Sequence, residues 1–139
     1  MSAVDEPDWE RLEHQARQAL PSAYAPYSRF GVAACVLAED GRSFVGVNVE
    51  NASYGLTVCA ERNAVAAAVI AGVRRLVAAV VVCTGPEPPT PCGACRQVLW
   101  EFGTELAVRS VGASGHVLHF ELAALLPAAF GPEQLSPSD

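Results

Sequence analysis

The run Leu76-Val77-Ala78-Ala79-Val80-Val81-Val82-Cys83 decides the architecture. It is apolar throughout and shows no alternation, so neither of its faces is turned to water. That is the pattern of a central strand covered on both sides, and such a strand needs helices above and below its sheet. The flanking sequence supplies them. Upstream, the Ala-rich residues 59–71 predict a buried helix, with Gly72 where a residue closing a helix belongs. Before it, residues 30–37 and 43–49 read as strands joined at Glu39-Asp40-Gly41, a hairpin signal. In the second of these, Val45, Val47 and Val49 share one face, while Phe44, Gly46, Asn48 and Glu50 share the other. Trp9, Leu12, Ala16 and Ala19 recur at helical spacing, which predicts an amphipathic helix over 8–20, ended by Pro21 and Pro26. Downstream, a Pro-rich loop from Gly85 to Pro91 leads into a short helix from Cys92 to Phe102, closed by Gly103. Residues 105–111 and 116–121 read as strands around Gly112-Ala113-Ser114-Gly115, and a helical turn near 122–126 precedes a Pro-rich tail. The order αββαβαββα gives an α/β fold, a mixed five-stranded sheet sandwiched by helices, with residues 1–139 forming one domain.

Composition narrows the function. The chain is 51% hydrophobic and only 17% charged, against about 25% charged in an average soluble domain. Part of that apolar excess is expected to lie between subunits. The formal charge is −6, with nine basic residues scattered among fifteen acidic ones, so no phosphate-binding track is visible. Nucleic-acid affinity depends on such a track, which makes a small molecule the expected partner. The stretch from Ala64 to Cys83 is long and apolar, but Arg74 and Arg75 interrupt it. Each would cost about 2.5–3.5 kcal/mol at a membrane helix centre, so no membrane span is expected. The opening MSAVDEPDWE lacks the basic start and apolar core of a signal peptide, and a cytoplasmic location follows as the expectation.

The five cysteines are Cys35, Cys59, Cys83, Cys92 and Cys95. An odd number without an export signal favours metal or catalytic chemistry over disulfides. Two segments stand out, Cys59-Ala60-Glu61 and Pro91-Cys92-Gly93-Ala94-Cys95, each at the start of a helix. Cys92 and Cys95, three apart, share a helix face and can offer two sulfurs to one ion. Helix N-termini favour the thiolate form that metals require. Cys59, brought in on the other helix, would be a third ligand, leaving a fourth tetrahedral position for water, the arrangement of a catalytic zinc. Glu61 lies two residues from a ligand, so both can reach one pocket only if Cys59 sits at the helix cap, outside regular helical geometry.

A Cys or His, any residue, Glu, then Pro-Cys-x-x-Cys further on is the signature of zinc deaminases, in which the Glu is not a ligand. Over nearly its whole length the chain resembles the small homotetrameric cytidine deaminases. The matching text is Tyr24-Ala25-Pro26-Tyr27-Ser28-Arg29-Phe30, the segment from Asn48 to Arg62, Pro91 to Gln97, Leu125-Leu126-Pro127 and Phe130-Gly131-Pro132. The resemblance implies that Cys59, Cys92 and Cys95 hold Zn2+ and that Glu61 moves protons between water, the base and departing ammonia. It implies that Phe30 packs on the cytosine ring, that Asn48 and Glu50 bind the ribose hydroxyls and that the backbone at Ala60 contacts the base. Ala52, Tyr54 and Phe130 would reach a neighbouring subunit's site, and Arg62 would offset the charge of three thiolates. The expected reaction is hydrolytic deamination of cytidine and 2′-deoxycytidine in pyrimidine salvage. One departure is that the family's usual Gly-Ala-Ala is here Ala33-Ala34-Cys35, which would add a methyl beside the pocket floor.

Blander readings compete. A closed structural zinc needs a fourth ligand, and only Cys35 or Cys83 could supply it; both fall in strands and read better as core. Phe30 could be ordinary core, Glu61 a first-turn helix acid, Arg62 a solvated charge, and Asn48 and Glu50 polar residues ending a strand. His116 and His119, three apart in a strand, point to opposite faces, and His14 lies on an exposed helix face, so none reads as a ligand. The rival functions are deamination of a cytosine nucleoside antibiotic, editing of a polynucleotide, and a zinc-stabilised module without activity.

Overall fold

A computed structural model describes residues 6–135. The strands β1 (Val32–Ala38), β2 (Ser43–Val47), β3 (Leu76–Cys83), β4 (Ala107–Val111) and β5 (Val117–Glu121) form one sheet in the order β2-β1-β3-β4-β5. Only the β3–β4 pair is parallel; the other pairs are antiparallel. The expected central strand is β3, at the middle of the sheet and buried on both faces except for the partly exposed Val77.

Helix α1 (Trp9–Ala19) covers one face, where Trp9, Leu12 and Ala16 pack on Ala33, Cys35, Val80 and Val82. Helices α2 (Ala60–Ile70) and α3 (Gly93–Phe102) cover the other, with Ala64, Ala68 and Leu99 against Val36, Val81 and Val108. The short α4 (Leu122–Leu125) follows β5 directly. Element order matches the sequence reading, with no end moved by more than two residues. Three 3₁₀ turns, at Leu20–Ser22, Tyr54–Leu56 and Pro132–Gln134, were not expected; none carries a periodic apolar pattern that would announce it.

The apolar stretch that could suggest a membrane span divides into the end of α2, a turn and β3. Gly72, at φ 95°, closes α2 in a left-handed conformation, with Gly72 N–H on the Val69 carbonyl and Val73 N–H on that of Ala68. No helix among the described residues is long and apolar enough to cross a membrane.

Ala33 corrects one expectation. Its methyl is fully buried in the core beneath α1, on the face of the sheet away from α2 and α3. It therefore fills space under Trp9 and Leu12 and does not crowd the pocket floor.

Gly46 fixes the distance between β2 and α2. A Cβ there would lie 2.3 Å from the Ala64 nitrogen and 2.5 Å from the Ala60 carbonyl oxygen, both backbone atoms that cannot swing aside. Asn63 Nδ2 adds a 2.8 Å hydrogen bond to the Val47 carbonyl at the same contact. Gly46→Ala is expected to cost about 3 kcal/mol, the upper end of ordinary overpacking. That lowers the melting midpoint by roughly 10 °C. A thermal melt within two degrees or so of the parent would contradict this.

Candidate active site

The starts of α2 and α3 meet. Cys59 is the cap residue of α2, at φ −72° and ψ 156°, and Cys92 the cap of α3, at φ −68° and ψ 169°. Both are extended, so their thiols leave the helical path, and neither side chain makes a capping hydrogen bond. The helix therefore begins where Cys59 and Glu61 can share a pocket, as the two-residue spacing required. Cys95, inside the first turn of α3, is buried.

The sulfurs of Cys59 and Cys92 are 3.7 Å apart, those of Cys92 and Cys95 3.5 Å, and all three lie within 4.8 Å of one another. Sulfurs bound at about 2.3 Å to one tetrahedral zinc are separated by about 3.8 Å. The three thiols thus fit a zinc ion. The remaining cysteines do not join them. Cys35 is buried under α1, where burial pushes its thiol up to about 11, and it faces Gln15 Oε1. Cys83 is buried with its thiol directed at the Gly85 and Glu87 carbonyls. Among the described residues no fourth thiol joins the three, so a zinc ion held by them would keep a position for water.

Burial raises the Cys59 thiol, while the Arg62 guanidinium opposes that shift from 3.9 Å. At Cys92 burial also acts against the thiolate, but the Cys95 backbone N–H and the thiols of Cys95 and Cys59 outweigh it, and the net shift is downward. Cys95 is pushed well up, first by burial and then by the negative charge of Glu61. Three adjacent sulfurs with these opposing demands become thiolates together only around a cation.

Glu61 is 4% exposed. Burial raises its carboxyl above the usual range, against the pull of its own backbone N–H, the Arg62 charge and the Cys95 thiol. A buried carboxyl raised in this way beside a metal site has the character of a proton-transfer group.

The other expected residues fall in two groups. Phe30 is 42% exposed and is not core. Asn48 is buried, and its amide already ties the loop before β1 to the start of that strand, donating to the Phe30 carbonyl at 2.9 Å and accepting from Val32 N–H at 2.9 Å. One amide hydrogen and one oxygen lone pair remain for a ligand. Glu50 lines a cleft of about 370 Å³ with Tyr27, Ser28, Tyr54 and Thr57. Ala60 is buried at the first position of α2. By contrast, Ala52 and Tyr54 sit on an exposed loop, Tyr54 edge-on to Tyr27 at 5.9 Å, and Phe130 is exposed near the C-terminus. A larger cleft, about 480 Å³ and lined by Leu20, Pro26, Arg29 and Thr84 among others, holds no thiol or carboxylate. The smaller cleft offers the Glu50 carboxylate but none of the three thiols.

His116 lies beside Glu87 and His119 stacks edge-on against Trp9, so neither approaches the thiols. Sequence reasoning missed two supports. Arg96 donates to the Pro91 carbonyl at 2.8 Å and to that of Leu125 at 2.9 Å, pinning the loop before Cys92 to α4. Gln97 donates to the Phe130 carbonyl at 2.9 Å. Their place directly after Cys95 was the one available signal.

Residues 7–111 match the family model for the cytidine and deoxycytidylate deaminase zinc-binding region. The cytidine deaminase of Sporosarcina psychrophila is 45% identical over 130 residues, 93% of this chain and 96% of its own. The crystal structure of cytidine deaminase from Burkholderia pseudomallei superposes with a TM-score of 0.83 at 46% identity, covering 87% of this chain and 98% of that one. That from Mycobacterium tuberculosis gives 0.80 at 46%, covering 91% and 99%. Three sulfurs at zinc spacing, a buried Glu61 beside them and likeness over nearly the full length lead to one conclusion: the chain belongs to the cytidine deaminase family.

Proposed function

We propose that this protein hydrolyses cytidine and 2′-deoxycytidine to uridine and 2′-deoxyuridine, releasing ammonia, as a pyrimidine-salvage enzyme of the cytoplasm working as one domain per subunit. The observation that carries this is the buried Glu61 beside, and outside, the group of three sulfurs that could hold a metal ion. Cys59, Cys92 and Cys95 would hold the zinc, which would lower the pKa of its bound water. Glu61 would accept one proton of that water and pass it to N3 of the cytosine. As the C4–N bond breaks, Glu61 would take the remaining hydroxyl proton on C4 and deliver it to the amine, which leaves as ammonia. Burial of Glu61 raises the carboxyl above the usual range, which favours a group that takes up and returns protons. Phe30 lies along the base, and the free N–H at the start of α2, by Ala60, faces its polar edge. Glu50 and the uncommitted half of the Asn48 amide take the ribose hydroxyls. Arg62, 3.9 Å from the Cys59 sulfur, offsets the surplus negative charge of three thiolates.

The free nucleoside suits this pocket better than its phosphates. Arg96 is engaged by two carbonyls and Arg62 by Cys59 and Thr57, while Glu50 stands on the ribose side. The direct test is incubation of zinc-loaded protein with cytidine, following the ultraviolet change of cytosine to uracil and assaying ammonia. Absence of ammonia would defeat the proposal.

The quaternary state we propose is a homotetramer, in which Ala52, Tyr54 and Phe130 complete a neighbour's site. Tyr24, Tyr27, Val49, Tyr54 and Leu56, between 44% and 74% exposed, are apolar surface that such an assembly would cover. Light scattering should give about four times the 14.6 kDa of one chain. A monomer at micromolar concentration would refute it.

A further inference from the structure

Ser28 stands between two substrate-facing residues without being one of them. Its hydroxyl donates to Glu50 Oε2, while Tyr27 N–H and Ser28 N–H reach Glu50 Oε1 at 3.0 and 3.1 Å. The same hydroxyl oxygen accepts Phe30 N–H at 3.0 Å. Arg29, at φ 58°, turns the chain through the left-handed region between them, which brings Phe30 N–H back over the Ser28 side chain. Non-glycine residues rarely occupy that region, and the turn persists here because bonds on both sides of it hold the chain.

Both Glu50 oxygens are thus occupied from one side, leaving their other lone pairs directed away from the 27–28 turn. A carboxylate fixed in this way loses little freedom when it accepts ribose hydroxyls, and preorganisation of that kind is what raises affinity. Tyr27 and Ser28 contribute backbone donors that any residue would provide. The hydroxyl is the one contribution to Glu50 that depends on residue type at position 28.

We propose that Ser28 is a positioning residue that sets recognition of the ribose hydroxyls by locking the Glu50 carboxylate and tying it to the Phe30 backbone. This rests on the reading that Glu50 binds ribose. The Ser28 hydrogen bond also holds the Glu50 carboxyl below its ordinary pKa, as the largest influence on it, which agrees with the geometry.

The test compares competitive inhibition by uridine and by 2′,3′-dideoxyuridine, which lacks the hydroxyls, during cytidine turnover by the zinc-loaded enzyme. Ser28→Ala should weaken uridine about tenfold more than dideoxyuridine, the scale of one hydrogen bond to a charged group. Ser28→Thr, which keeps the hydroxyl, should restore most of the preference, and Ser28→Ala should add little to it in a Glu50→Ala background. A general loosening of the loop would weaken both inhibitors alike. Equal weakening in Ser28→Ala, while Glu50→Ala alone abolishes the preference for uridine, overturns the role of Ser28. If Glu50→Ala leaves the preference intact, the ribose reading of Glu50 falls, and the role of Ser28 falls with it.

Discussion

Glu61→Gln should bind zinc as fully as the parent and lose about 10⁴-fold in turnover. Positioned acid–base groups contribute about 10²–10⁴-fold, and one that serves several transfers in a single cycle belongs at the upper end. The two parts of this result have separate causes. Glu61 is not among the three sulfurs that fit the metal, so metal analysis of the variant should be unchanged. Gln is isosteric and neutral, so the buried position is kept and an unfavourable buried charge is removed; the fold should be no less stable. What Gln cannot do is accept and return a proton. The pH dependence carries a sign as well. Burial raises the Glu61 carboxyl in the free protein, so it stays protonated to a higher pH than an exposed glutamate. As the base that receives the first proton, it must be ionised, and kcat/KM should fall as pH drops through this raised value. Near-parental turnover in Glu61→Gln would remove the residue from the mechanism.

Cys59→Ala should lose both zinc and activity, and should unfold more readily. Removing one of three sulfurs leaves Cys92 and Cys95 on a single helix with nothing from α2 to complete the ion's shell. Zinc that joins two elements contributes to folding because the unfolded chain has no preformed site, and full structural sites in small peptides reach about 10–16 kcal/mol. Here two buried clusters on either side of the sheet supply a core of their own, so the expected loss is smaller, about 3 kcal/mol, or about 10 °C in the melting midpoint. A chelator applied to the parent should produce the same shift and should leave the Ala variant unmoved. Full metal content in Cys59→Ala would show that the ion is held elsewhere.

Much of this was legible in the sequence because the informative residues act locally. The uninterrupted apolar run of β3 could be read without knowledge of its neighbours, and so could the two cysteine motifs. The position of Cys59 at a helix cap followed from the need for Cys59 and Glu61 to face one pocket. What could not be read depends on atoms distant along the chain. Ala33 was misplaced because its side of the sheet is set by register against Val47 and Val82, which its own neighbours do not reveal. The commitment of half the Asn48 amide to Phe30 and Val32 arises from a loop that returns some sixteen residues apart. The grip of Arg96 on Leu125 spans a longer gap of 29 residues, and a lone arginine after a cysteine does not disclose its acceptor.

That grip bears on the order in which the protein is made. All three sulfurs leave the ribosome before Leu125 and Phe130 exist, so a nascent chain ending at Arg109 already holds every ligand. Yet the loop before Cys92 is anchored by Arg96 to the Leu125 carbonyl, and Gln97 is anchored to that of Phe130. During synthesis the metal ligands therefore precede the brace that steadies them. The segment that carries Leu125 and Phe130 offers no sulfur, yet it braces the loop and helix on which two of the sulfurs are mounted.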